Sequence, residues 1–202
     1  DKVAIGTSAA VGGTRGIAFG QNATADGANA IAMGYNSSVA GQDSVGIGLG
    51  ATAQGSNAIA IGKGAETGAS SNEVIVIGNS QGGTAASESI RIGHDIPGSS
   101  FNSNNVAIGN NFDSVSGNGN VMVGNSASSA SDYNTLVGYN TTALFQNGVA
   151  IGRDATAGNQ AAIIAIGQSA TGGAFAGAIA IGRNTQANAN AAVALGDGVI
   201  AA

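Results

Sequence analysis

The sequence predicts an all-β protein, a parallel β-roll or solenoid of about 14 coils, and three observations predict it. The first is a four-residue unit, apolar-x-apolar-Gly, repeated fourteen times at a spacing of 14 to 16 residues, from Gly6, Gly20 and Gly34 through to Gly182 and Gly196. A period this regular along a whole chain marks a stack of equivalent coils rather than one packed globule. The second is strict alternation before each glycine. One residue before it stand Ile5, Phe19, Met33, Ile47, Ile61 and their successors. Three residues before it stand Val3, Ile17, Ile31, Val45 and Ile59, with Thr135 the one polar member of that column. Residues two apart share a face of a strand. The third is a weaker alternation after the glycine, with pairs such as Ala23 and Ala25, Ser37 and Val39, Ala51 and Ala53, and Ala155 and Ala157.

Each coil is therefore predicted as strand, Gly turn, strand, Gly turn. The large aliphatic columns are expected to face inward, against the alanine pairs of the second strand. Thr24, Ser38, Thr52, Glu66 and Thr156, which lie between those pairs, are expected to face out. The position two before the glycine then points away from the core. It reads Ala18, Ala32, Ala60, Ala150, Ala165 and Ala180 in the regular coils, and so many small residues on an outer face predict a neighbouring subunit packed closely against it. Asn22, Asn36, Asn140 and Asn184 stand at corners that suit positive φ.

Residues 1–202 are read as one roll, with regular coils over 1–72 and 136–202 and irregular coils with small loops over 73–135. The irregular stretch carries the single proline, Pro97, the single histidine, His94, and the loop-like runs Asn79–Glu88 and Gly98–Asn105. Extra residues there are expected to leave the roll as protrusions at its corners.

Composition agrees and excludes several classes. Glycine contributes 35 of 202 residues while hydrophobic residues make up 43%, so this is no disordered Gly-rich linker. Six Lys and Arg, and no basic cluster, leave nucleic-acid binding without its main ingredient. The absence of Cys removes disulfides and thiolate metal sites. The longest apolar run, Ala161 to Ile166, is far too short to cross a bilayer, so no direct membrane insertion by this segment is expected. The chain opens in mid-repeat at Val3-Ala4-Ile5-Gly6 and has no visible leader, neck, heptad or anchor, so it reads as a segment of something longer.

Asn29-Ala30-Ile31-Ala32-Met33-Gly34-Tyr35-Asn36-Ser37-Ser38-Val39-Ala40-Gly41, and the copy from Asn57 to Gly68, closely resemble the repeat of YadA-type trimeric autotransporter adhesin heads. The resemblance covers essentially the whole chain. It implies a left-handed roll, three chains around a three-fold axis, and a non-enzymatic head that binds a matrix protein or cell-surface glycan by multivalent contacts. It also implies an extracellular place on a bacterial outer membrane, through an anchor elsewhere in the parent protein. The copies Gly119–Gly124 and Asn134–Asn140 are similar to repeats of some phage tail fibres, which keeps a trimeric receptor-binding or spacer segment of a virion fibre open.

Site chemistry is sparse. His94 and Asp95 are adjacent with no partner at catalytic spacing, and are read as surface turn residues. The eight Asp are scattered and no Gly-Gly-x-Gly-x-Asp nonapeptide occurs, so neither metal nor cofactor is expected. Arg91 interrupts the small column. It is read either as reaching the rim beside Glu88 or Glu73, or as one of three Arg near an axis. Tyr35, Tyr139, Phe101, Phe112, Phe145 and Phe175 stand at coil corners, where they cap coils, plug between chains or anchor a ligand. Arg91, His94, Phe101, Phe112, Tyr139 and Phe145 are thus the candidate ligand contacts. A partial threonine column (Thr24, Thr52, Thr156, Thr171) suggests an ice-binding face, but Ser38, Glu66, Pro97, Asp113 and Gln186 break it.

Overall fold

The computed structural model describes residues 1–79, 87–96 and 102–202. These fall into two compact units, Asp1–Asn104 and Asn105–Ala202. All regular structure is strand, every pairing is parallel, and no helix occurs among the described residues.

In the first unit the strands are β1 (Val3–Ile5), β2 (Ala10–Val11), β3 (Ile17–Phe19), β4 (Thr24–Ala25), β5 (Ile31–Met33), β6 (Ser38–Val39), β7 (Val45–Ile47), β8 (Thr52–Ala53), β9 (Ile59–Ile61), β10 (Glu66–Thr67), β11 (Ile75–Asn79) and β12 (Ile90–His94). One sheet takes β1, β3, β5, β7, β9, β11 and β12 in that order, and β2, β4, β6, β8 and β10 form the other. The glycine-anchored repeat is thus the first sheet, one strand per coil, in the predicted register: Ile17 pairs Ile31, Ala18 pairs Ala32, and Phe19 pairs Met33.

The second unit repeats the plan. Its strands are β13 (Val106–Asn110), β14 (Ser114–Val115), β15 (Val121–Asn125), β16 (Ser128–Ser129), β17 (Thr135–Tyr139), β18 (Thr142–Ala143), β19 (Val149–Ile151), β20 (Thr156–Ala157), β21 (Ile164–Ile166), β22 (Thr171–Gly172), β23 (Ile179–Ile181), β24 (Gln186–Ala187), β25 (Val193–Leu195) and β26 (Ile200–Ala201). Odd-numbered strands from β13 to β25 build one sheet and even-numbered strands from β14 to β26 the other.

The corners behave as predicted. Asn22, Asn36, Asn140 and Asn184 have φ between 53° and 57°. The repeat glycine has a second reason to be glycine. At Gly62, φ is +133° and an added Cβ would lie 1.9 Å from the carbonyl oxygen of Gly78 on the next coil. Conformation and stacking both exclude a side chain.

The core reverses the predicted faces of the first sheet. Ala18, Ala32, Ala60, Ala150, Ala165 and Ala180 are fully buried within a single chain, facing the alanines of the second sheet. They are the interior of the roll and not a surface offered to a subunit. The large aliphatic columns point outward: Ile17, Phe19, Met33, Ile47, Val123 and Val137 are all exposed. The alternation and the second-strand pairs stand as predicted, since Ala23, Ala25, Ser37, Val39, Ala51, Ala53, Ala155 and Ala157 are buried. The reason is thickness. Short corners hold the two sheets so close that one small side chain from each fills the gap. At Gly46 even a methyl would sit 2.6 Å from Val39 Cγ2, and at Gly172 it would sit 2.0 Å from Ile163 Cγ2. At these two places a large residue is met by glycine, and a double ladder of Ile has no room inside.

Four strands of the irregular stretch, and β17 where the regular coils resume, are longer than the rest. β11, β12, β13, β15 and β17 run five residues, through the glycine and one residue beyond, so that Gly78 pairs Gly93 and Asn125 pairs Tyr139. The interior of these coils is also larger, with Val76, Met122 and Leu136 buried in the alanine column. Pro97 and most of the two loop-like runs lie outside the described residues.

Candidate binding surfaces

No cavity opens among the described residues, and the side chains open to a partner lie on the outer faces and corners. Nor do three His, Asp or Glu side chains converge among them as metal ligands.

The first surface is the aliphatic face. In the first unit it rises through Ile17 and Phe19, Ile31 and Met33, Val45 and Ile47, one pair per coil. Tyr35 and Leu49 extend it around the corner, and both are exposed. The second unit carries its own ladder, through Val121 and Val123, Thr135 and Val137, Val149 and Ile151. Ordered stacking of β-branched residues is good strand chemistry, yet a continuous apolar ladder in water is unfavourable until something covers it.

The second surface is the outer face of the second sheet. Its outward column is polar and half-exposed: Thr24, Ser38, Thr52 and Glu66 in one unit, then Ser114, Ser128, Thr142, Thr156, Thr171 and Gln186 in the other. This is the direction the sequence assigned to it, and an ordinary solvated strand face.

The candidate ligand contacts divide. Arg91 is inside the roll with 0% exposure, so neither the rim nor an axis holds it. Its Nη2 donates to the Glu66 carbonyl oxygen at 3.2 Å. Burial lowers its pKa to about 10, offset only in part by the Glu66 charge. Arg91 follows its column: Val76 and Arg91 are paired neighbours, and the column points in. Phe112 is buried at 4% exposure and offers a ligand almost no surface. It stands three residues after Gly109, as Ala23 stands after Gly20, and fills the core from the second-sheet side. His94 is half-exposed, with Nδ1 2.9 Å from Asp95 Oδ2, at a corner where Asp95 has φ 52°. Tyr139 and Phe145 are exposed at corners, as are Tyr35, Tyr133 and Phe175. Phe101 lies outside the described residues.

One polar feature escaped the sequence reading. Asn105, Asn120 and Asn134 are fully buried at the position four before the glycine. Asn105 Oδ1 accepts from the Asn120 backbone N–H at 2.7 Å, Asn120 Oδ1 from Asn134 N–H at 2.8 Å, and Asn134 Oδ1 from Gly148 N–H at 2.6 Å. Their amide nitrogens donate to Gly117 O at 2.9 Å, Ser116 O at 3.0 Å, and Ser129 Oγ and Ser131 O at 3.0 and 3.1 Å. Ser44 does the same work in the first unit, accepting from Ala58 N–H at 3.0 Å and donating to Gly55 O at 2.8 Å. Each side chain satisfies a corner of the neighbouring coil. The signal was available, because these residues share the parity of the buried alanines.

Surface charges pair between coils. Arg183 forms two contacts with the Asp197 carboxylate, which holds that carboxyl below its usual range. Asp43 is lowered in the same sense by hydrogen bonds from Asn29 and Gln42. Both are fully solvated contacts that contribute little to stability.

A parallel solenoid with a thin alanine interior and an outward aliphatic ladder presents its large side chains along its surface. Residues 3–23, 12–37, 40–65, 137–157 and 176–198 match the YadA head domain repeat (2 copies), and together they span just over half the chain. The chain belongs to the YadA head family, whose members are non-enzymatic adhesin heads exposed outside the cell. No curated protein matches the chain. Residues 66–136 lie between the matches, and they hold Arg91, Phe112, four of the five lengthened strands in full and the asparagine ladder.

Proposed function

We propose that this chain is part of the head of a homotrimeric surface adhesin, held on a bacterial outer membrane by an anchor elsewhere in the parent protein. It binds a host or environmental surface ligand, a matrix protein or a glycan, through repeated weak contacts. The observation that carries the reading is the family repeat joined to the outward aliphatic ladder. Completing the burial of each half-covered Ile or Val contributes on the order of 1 kcal/mol, and every coil offers such a pair. Identical copies closing around an axis cover that face on all of them at once. The second sheets and corners then remain outside, and three copies of each site raise avidity without any new contact. His94, Tyr139 and Phe145 are proposed ligand contacts from among the exposed corner residues, and Phe101 remains a candidate.

The test is binding of the assembled segment to host cells and to matrix-protein and glycan arrays. Adhesion that saturates and grows with assembly supports the reading. A segment that assembles yet adheres to nothing is a spacer carrying a binding tip elsewhere.

A further inference from the structure

The corner that leads from the second sheet back to the first carries large exposed side chains in the second unit. Phe145, Gln160 and Phe175 each stand four residues before the first residue of β19, β21 and β23, so they occupy one column on successive coils. The stacking is direct: Ala162 N–H donates to Gln146 O, and Gly177 N–H to Ala161 O, both at 3.2 Å. Phe145 and Phe175 are exposed, and two coils at about 4.8 Å each set them roughly 10 Å apart. Gln160 stands between them, and Gln146, Asn147 and Asn159 are exposed beside them. No charged residue occurs in 144–147, 158–162 or 173–177.

We propose that this ledge binds a neutral, extended glycan, a reading that rests on the adhesin function above. The apolar face of a pyranose stacks on an aromatic ring, and its hydroxyls pair with side-chain amides. Two rings two coils apart meet alternate sugars of an extended chain, while the Gln160 amide faces the sugar between. Absence of charge selects a neutral glycan over a sialylated or sulfated one. A protein partner would need a desolvated, contiguous anchor site, whereas Phe145 and Phe175 stand two coils apart with Gln160 between them, and the exposed Leu144 extends only the first. A second copy of this chain is disfavoured by position. The turns at Asn147 (φ 59°) and Gly177 (φ 68°) separate the column from the first sheet, whose outer face is the aliphatic one.

The experiment uses the assembled protein on an array of neutral β-1,4-linked tetrasaccharides, cellotetraose and chitotetraose, with sialyllactose and a sulfated galactan as charged controls. Affinities are measured by calorimetry. Wild type should bind a neutral tetrasaccharide and neither charged control, and Phe145→Ser or Phe175→Ser should weaken binding at least tenfold. Gln160→Ala should weaken it several-fold. Sedimentation mass and far-UV spectrum should stay unchanged in all three variants. Unaltered binding by the Phe variants overturns the inference, and so does a fall in assembly mass, which would make the ledge a contact between copies. Adhesion to cells or matrix without binding to neutral tetrasaccharides overturns the ledge and leaves the adhesin reading standing. Failure to bind either defeats both.

Discussion

Arg91 shows what a thin interior demands of a single residue. Burial lowers its pKa to about 10 despite the Glu66 charge. The folded state therefore binds its proton less tightly than the unfolded chain does. From about pH 10 upward the unfolded state holds more protons, so this group's penalty falls as pH rises and is present in full at neutral pH. Arg91→Met, of similar volume, should stabilise the protein by about 1–3 kcal/mol at pH 7, because replacing a buried charge by an apolar side chain of similar volume removes its desolvation cost. Thermal melts of both proteins at pH 7 and above pH 10 check this, with the gap expected to narrow at high pH. Asn120→Leu should act oppositely. It leaves the buried Asn134 N–H without its acceptor and should cost about 1–3 kcal/mol, read from urea denaturation.

The strand pair is the scale at which faces are decided. Period-2 alternation was legible in every copy, and so were the register, the corners and the second-strand alanines. Alternation divides residues into two sets without saying which set is inside. The rule that large apolar side chains go inside assigned Ile59 and Ile61 to the core and Ala60 to the surface, and inter-sheet spacing overrides it. The pairing of Gly46 with Val39 and of Gly172 with Ile163 records that spacing in the sequence, but it is visible only once the facing partners are known. Arg91 was misplaced by the face assigned to its column, whereas Phe112 was read as a corner aromatic although its column, that of Ala23 and Ala51, was assigned inward. The corrected faces make a sharp contrast. Ala60→Arg should unfold the chain itself, since Ala60 has no exposure and, unlike Arg91, lies in a regular coil whose interior is filled by the alanines packed around it. Ile61→Asp, on the half-buried outer face, should spare the coil's own packing and act on assembly. Melting curves beside light scattering on both variants separate the two effects, and a stably folded Ala60→Arg chain would mean the faces are reversed again.

For the whole molecule, the central claim is that the outward aliphatic ladder joins identical copies and leaves the second sheets and corners free for ligand. A roll with an alanine interior buries little apolar surface per residue, and small cores are marginal unless association adds to them. The resemblance to YadA-type heads was legible in the motif and the family match agrees with it, yet the alanine column read as the assembling surface is buried within the chain, one residue away from the outward ladder proposed for that role. The most direct measurement is sedimentation mass for wild type, for an Ile47→Lys/Val137→Lys double variant on the aliphatic face, and for Thr156→Lys on the second sheet. The account predicts three times the 19.1 kDa chain mass for wild type and Thr156→Lys, and loss of that species in the double variant. A monomeric wild type, or a double variant that still sediments as a trimer, would contradict it.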